Sequence, residues 1–222
     1  MRLADLSEQS GVSVATVKYY LREGLVPPGR RVNATQAEYD ETHLRRLRLV
    51  RAMIQVGRIP VATVRQVLAH VDDESLGLTI RLGASLWALP HSTEGTEGTP
   101  GGSPDIADPS HAAALRIVDD LLARLDWTTA RDIGERSPAH RALVGALATL
   151  DRLGFPFAAD DLLPYARYME QAAAHDLDRM ELAPTPQERA EYAVAGAVLF
   201  EPVLLNLRRI AQSEEAGRRY GL

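Results

Sequence analysis

The 222-residue sequence contains no cysteine. That excludes disulfides, thiolate metal sites and a cysteine nucleophile together, and it fits a reducing compartment. No apolar run reaches the ~20 residues a membrane span needs. The longest, AVAGAVLFEPVLL at Ala193–Leu205, is interrupted by Glu201 and Pro202. The opening MRLADLSEQSG has no apolar stretch behind its basic residue, so no secretory signal is expected. There is no glycine-rich phosphate loop, and the six histidines are scattered, none at ligand or triad spacing. No segment alternates convincingly with period two, so no sheet is expected beyond a wing hairpin in residues 30–39. What remains is an all-α, cytoplasmic protein that is not an enzyme, needs no cofactor and meets no membrane.

Composition is otherwise ordinary for a globular chain, with 45% hydrophobic and 25% charged residues. The net charge of −5 hides an asymmetry: residues 1–71 carry +5 and residues 72–222 carry −10. A basic front and an acidic back suggest that only the front meets a polyanion. Drift in surface charge is the alternative.

The front half reads as short helices. Leu3–Ser10 is closed by Gly11; Ser13 caps Val14–Glu23, and Gly24 stops it. Val14, Val17 and Leu21 form its buried stripe. Two helices joined by Gly11-Val12-Ser13 are a helix-turn-helix signature. Pro27-Pro28-Gly29 must turn. Asp40 caps a helix over Glu41–Val56, buried through Leu44, Leu47, Val50 and Ile54 and ended by Gly57. Ile59-Pro60 opens another to about His70, and residues 75–89 can form one more.

Composition then changes. Residues 90–110 are rich in Gly, Pro, Ser and Thr and read as a flexible linker. Beyond it, Ser110 caps a helix to about Leu125. Ser137-Pro138 starts one ending before Gly154. Asp160 or Asp161 starts another, with Pro164 in its first turn. Thr185-Pro186-Gln187-Glu188 is a capping box opening a last long helix, expected to bend near Pro202. The domains expected are 1–72 for DNA binding, 73–110 for a short helix and linker, and 111–222 as a helical dimerisation or effector domain.

Once the apolar stripe of the second helix is assigned, Thr16, Lys18, Tyr19, Tyr20 and Arg22 are left over. Lys18 is the chain's only lysine. An ammonium group neutralises phosphate and releases counterions, and tyrosine offers a phosphate-binding hydroxyl. In a helix-turn-helix the first turns of this helix enter the major groove. Arg30 and Arg31 follow on a loop that can reach the flanking backbone. The alternative is that Tyr19 or Tyr20 packs in the core and the arginines are solvated.

The stretch GVSVATVKYYLREGLVPPGRR, followed by YDETHLRRLRLVRAMIQVGRIPVATVRQVL, resembles the winged helix-turn-helix of the MerR family of transcriptional regulators. The G-V-S turn, a basic residue before two aromatics, the E-G-L-V-P-P exit and the Y-D-x-x-x-L-x-x-L start of the next helix pair carry the resemblance, over residues 1–70. It implies that Lys18 stands where an arginine contacts base or phosphate, that Tyr20 grips a backbone phosphate, that Thr16 lies on the exposed face, and that Arg31, beside Arg30, is the basic residue where the wing begins. The family's wing usually carries a tyrosine-arginine pair; here Gln36 and Ala37 occupy those positions, which implies weaker phosphate contacts. The resemblance further implies a homodimer on a pseudo-palindrome in double-stranded promoter DNA, distorted so that RNA polymerase can engage it.

The back half looks like the helical C-terminal domain of actinobacterial members, and 24 arginines against one lysine agree with a high-GC genome. Tyr192–Ile210 is apolar nearly all round, so it is expected in a core, or failing that between subunits. Trp127, Tyr165 and Tyr168 could line a pocket for a small-molecule effector, most such aromatics being plain core. Glu201, inside an apolar run, either is buried against a cation such as Arg208, Arg209 or a ligand, or points to solvent. His175, Asp176, Asp178 and Glu181 could hold a cation, but charges on one helical turn are usually solvated, and no metal is expected. A DNA-binding adaptor whose back half only dimerises or recruits a protein is the alternative to a ligand-controlled regulator.

Overall fold

The structure is a computed structural model that describes residues 1–33, 36–90 and 108–221. It divides into two compact units, Met1–Leu89 with Arg179–Leu222, and Pro90–Asp178.

In the first unit, α1 (Leu3–Ser10) and α2 (Val14–Arg22) flank the glycine turn. A two-residue hairpin, β1 (Arg30–Arg31) and β2 (Ala37–Glu38), follows as the expected wing. Next come α3 (Glu41–Arg51), α4 (Val61–Asp72) and α5 (Leu78–Trp87). The helix expected over Glu41–Val56 is α-helical only to Arg51 and continues as a π-helical turn over Ala52–Val56. Leu6, Val17, Leu47, Val50, Met53, Val64 and Val67 are fully buried in one core. Leu44, Leu47, Val50, Val64, Val67 and Leu68 thus point inward as their spacing predicts, and Ile54 packs half-buried at the edge.

The same core contains Ala190, Val194 and Val198 from the last helix of the chain. The spacing of these three residues places them on one face. The boundary expected at residues 111–222 therefore does not match how this helix packs: its first turns complete the N-terminal core. Composition shifts at the Gly/Pro segment suggested a clean division, but a chain that leaves a unit and returns to it has no compositional mark. Gly57 lies where the return is tightest: a Cβ there would stand 2.7 Å from Val198 Cγ1 and 2.9 Å from the Met53 carbonyl oxygen. The expected linker, residues 90–110, falls mostly on residues 91–107, outside the described residues.

The second unit packs α6 (Pro109–Arg124) against α8 (Pro138–Arg152), with α7 (Thr128–Ile133) between them in sequence and α9 (Ala159–Glu181) following. Its core is Ala114, Val118, Leu122, Val144, Leu147 and Ala148, with Leu121, Ala159 and Ala166 alongside. Asp108, not Ser110, caps α6: its carboxylate accepts the Ser110 N–H at 3.0 Å. Ser137 caps α8 as expected, accepting the His140 N–H at 3.4 Å. α9 starts at Ala159, one or two residues before the expected Asp160 or Asp161, and runs through Pro164.

The last helix, α10 (Pro186–Tyr220), is 35 residues long, is capped by Thr185 and runs through Pro202. Tyr192–Ile210 does not behave as one buried segment: Val194 and Val198 are core, whereas every residue from Leu199 to Ile210 is exposed. The core of this unit reaches only the first turns of the helix, and the remainder projects beyond it.

Polar groups fix α10 in place. Arg46 on α3 is buried and ion-paired with Asp72 at the end of α4, and its Nη2 lies 3.6 Å from Glu191 Oε1 on α10. Arg45 pairs with Glu188 at 3.0 Å. Gln187 donates to Asp72 at 3.0 Å and to Glu191 at 3.2 Å, and accepts from the buried Arg81 of α5, which also donates to the Val71 carbonyl. Removing the central cation strands Glu191, a loss larger than the pair's net worth. Arg46→Ala is expected to destabilise the chain by about 2–3 kcal/mol, because Asp72 can partly rehydrate, whereas Arg22→Ala on the surface should cost under about 1 kcal/mol. Urea unfolding of the full chain measures both.

Candidate nucleic-acid interface

The turn between α1 and α2 is built from small residues. Gly11 takes a left-handed φ of 66°, open to glycine at little cost. The Ser7 hydroxyl donates to the Val12 carbonyl at 2.6 Å, and Ser13 accepts the Thr16 N–H at 3.2 Å. Two arginines that sequence reasoning did not single out hold this element. Arg51 Nη1 donates to the Ser10 carbonyl at 3.0 Å, and a Cβ on Gly11 would meet that nitrogen at 2.8 Å. At the far end Arg65 pairs with Glu23 at 2.9 Å and donates to its carbonyl at 3.3 Å. Both links join residues about forty positions apart, so no local pattern betrays them.

Held at the preceding turn and at its C-terminal end, α2 presents two faces. Val17 and Tyr20 are buried; Ala15, Lys18 and Arg22, spaced i, i+3, i+7, are exposed together. Arg22 lies over the Tyr19 ring, 5.4 Å from its centroid, and Tyr19 is half-buried at the core edge. Thr16 is half-buried, its hydroxyl 2.8 Å from that of Ser13. Two expectations are corrected. Val14 is 39% exposed and not part of the stripe, and Tyr20 is only 4% exposed. A residue three before Val17 and one three after it cannot both face a core that approaches from one side near the C-terminal turns, and the larger ring takes the place. Tyr20 is thus a core residue, not an open phosphate contact; burial, then the neighbouring Tyr19, push its hydroxyl pKa up.

In the wing, Arg30 pairs with Glu38 and Arg31 with Ala37. Gly29 allows the hairpin to close, since a Cβ there would lie 2.7 Å from the Glu38 carbonyl oxygen. Arg30 is ion-paired with Glu38 across the strands, so its charge is partly neutralised before any ligand arrives. Arg31 and Gln36 are exposed; Gln36 accepts from Asn33 at 3.0 Å. The chain leaves the wing into α3 through Asp40, whose carboxylate accepts from the Thr42 N–H at 3.0 Å and lies 2.7 Å from His43 Nδ1. The hydrogen bonds from Thr42 and then His43 hold this carboxyl well below the usual carboxylate range.

The speculative ligand residues do not converge. Trp127 donates from Nε1 to Glu170 at 3.0 Å. Tyr165 is 51% and Tyr168 66% exposed on α9. Glu201 points to solvent on α10, in the other unit, so the buried-carboxylate alternative is set aside. His175, Asp176, Asp178 and Glu181 are exposed along α9, and among the described residues no three or more His, Asp or Glu side chains gather as a metal site would need.

A glycine turn between two short helices, an outward cationic face on the second and a two-stranded wing define a winged helix-turn-helix protein. Comparison with known proteins agrees. The MerR HTH family regulatory protein model matches residues 1–71. The HTH-type transcriptional regulator ZntR homolog of Haemophilus influenzae is 36% identical over 50 residues, 22% of this chain and 37% of that protein. The HTH-type transcriptional regulator AdhR of Bacillus subtilis is 33% identical over 57 residues, 26% of this chain and 41% of that protein. The chain thus matches about two-fifths of the length of these curated relatives. The crystal structure of SCO5550 from Streptomyces coelicolor A3(2), proposed to be a transcriptional regulator, is similar throughout: 56% identity, TM-score 0.82, covering 100% of this chain and 99% of that one. The chain belongs to the MerR family of helix-turn-helix transcriptional regulators.

The Asp40 cap gives a pH test. A carboxyl whose folded pKa lies below its unfolded value, about 3.9, contributes stability that is present above that value and is lost as pH falls below it. Asp40→Asn keeps a capping side chain and should cost no more than about 1 kcal/mol at neutral pH. Its stability should fall less steeply than wild type between about pH 5 and pH 2, read from urea midpoints across that range.

Proposed function

We propose that this chain regulates transcription by binding double-stranded promoter DNA as a homodimer, with α2 of each copy in the major groove of one half-site and the wing against the flanking backbone. The observation that carries the reading is the division of α2: one face fixed in the core, the other offering Lys18 and Arg22 to solvent. Arg51 holds the turn before α2 and Arg65 its C-terminal end, so the cationic face is presented without further ordering, which lowers the entropic cost of binding. Exposed Val14 and Ala15 add an apolar surface at the end of the helix that enters the groove, of the kind that meets thymine methyl groups. Arg31 supplies the wing's phosphate contact, with Gln36 beside it in place of a stronger donor.

The family reading extends to a pseudo-palindromic operator that is bent and untwisted on binding, the deformation being offset by contacts made only in the distorted state, and to cooperation with RNA polymerase in the cytoplasm. The protein acts by binding and not by catalysis. Small-molecule control through the second unit is the remaining part of the proposal. The open positions of Tyr165 and Tyr168 favour instead a back half that dimerises or recruits a partner, the adaptor form of the same reading.

Fluorescence anisotropy with the DNA upstream of its own gene tests the contacts. Lys18→Ala and Arg31→Ala should each weaken binding by roughly 1 kcal/mol, about fivefold, and removal of each phosphate-neutralising cation should lower the salt slope by about one. Arg30→Ala should do less, since Glu38 already engages that guanidinium. Glu38→Gln should tighten binding by releasing it. Unchanged affinity and salt slope in the Lys18 and Arg31 variants would overturn the contact assignment.

A further inference from the structure

We propose that Lys18 is an acylation site, where an acyl phosphate drawn to the cationic face of α2 transfers its acyl group to the amine and cancels a charge that faces DNA. The site stands on the residues of α2; only its consequence rests on the DNA-binding reading. Acyl transfer to nitrogen needs a lone pair. The 24 arginines cannot supply one, because a guanidinium stays protonated in proteins. Lys18 is the only side-chain amine in the sequence, and there is no cysteine to compete for the donor. The α-amino group of Met1 is part-buried and donates to the Tyr39 carbonyl at 2.8 Å. Lys18 is exposed, and no ion pair or hydrogen bond to a described residue holds its ammonium group.

The surroundings of Lys18 select a phosphate-bearing donor. Arg22 follows one turn later on the same exposed face, and its guanidinium is positioned over the Tyr19 ring, 5.4 Å from the centroid. Glu23 lies 4.0 Å from Arg22 but is itself engaged by Arg65 at 2.9 Å, so it leaves most of that charge available. A face that can hold the phosphates of DNA can hold the phosphate of a small acyl donor. The Lys18 amine, in its neutral form, then attacks the acyl carbon. The bond from that carbon to the phosphate oxygen breaks, phosphate leaves with the electron pair, and the proton shed by nitrogen goes to it. The product is a neutral amide. Acylation and DNA binding then oppose each other: DNA covers the amine, and the amide no longer neutralises a phosphate.

Incubation of the full chain with acetyl phosphate, followed by intact mass and peptide mapping, tests the site. The folded chain should gain one acetyl group, on Lys18, about threefold faster than the side-chain amine of a free lysine derivative, and the excess should vanish near about 1 M salt, where the Debye length is about 3 Å. Arg22→Ala should remove the same excess. Promoter DNA at about ten times its dissociation constant should slow the reaction roughly tenfold. The acetylated chain should bind promoter DNA about fivefold more weakly, with a salt slope lower by about one. Treating Lys18→Arg with acetyl phosphate should leave that variant's affinity where it stood before treatment. Acetyl groups chiefly on Met1, a rate no higher than that of the free amine, or a chain acetylated on Lys18 with undiminished affinity would overturn the proposal. A chain that bound promoter DNA yet left Lys18 unmodified would sink the acylation site alone; Lys18 acetylated at the faster rate in a chain without DNA affinity would sink the DNA-binding reading alone.

Discussion

The packing of the last helix onto the first unit is the constraint on which the rest of the structure depends. A winged helix-turn-helix of about 70 residues buries too little of its own apolar surface to be secure, and Ala190, Val194 and Val198 cover what it leaves open. Apolar contact alone permits sliding along a helix. The ionic cluster does not: Arg46 must meet Asp72 and Glu191 while Gln187 bridges both carboxylates and receives Arg81. Desolvating that guanidinium cancels much of the Coulomb gain, so the cluster contributes register more than net stability. Gly57 makes the same demand sterically, since only a residue without a Cβ admits Val198 at that distance.

The cluster also changes what the basic front half means. Its excess of +5 suggests a surface waiting for a polyanion, yet Arg45 and Arg46 are engaged by acidic residues of α10, Arg65 by Glu23, and Arg30 by Glu38, while Arg51 is spent on a carbonyl of the turn. These cations shape the element that meets DNA. Lys18, Arg22 and Arg31 are exposed on α2 and the wing, and Arg2, Arg48 and Arg58 are exposed elsewhere in the same unit.

What could be read in the sequence is what local chemistry decides. Gly11, Ser13, Asp40, Ser137-Pro138 and Thr185 announced helix ends because each acts on backbone groups within a few residues, and the wing was legible from Pro27-Pro28-Gly29 and the family resemblance. The outward placement of Lys18, Arg22 and Arg31 was legible as well. Tyr20 was not, because its fate turns on where the core lies relative to the last turn of α2, and that core is built largely by residues of other helices. The Arg30–Glu38 pair depends on hairpin register, and the Arg51 and Arg65 links span some forty residues. The return of α10 was least legible: its apolar run is continuous in sequence, while its environment changes from core to solvent between Val198 and Leu199.

That change falls one turn before a proline. Pro202 has no N–H to offer the Val198 carbonyl, so the backbone ladder lacks one bond where α10 leaves the core. Asn206 donates to the Pro202 carbonyl at 2.8 Å and holds the following turn. An interior proline costs about 3 kcal/mol in a helix that must be straight; it is tolerable where neighbouring packing fixes the segment on one side. Val194 and Val198 do so on the core side. On the other side every residue from Leu199 to Ile210 is exposed. One weakened turn therefore sits where α10 passes from core to solvent.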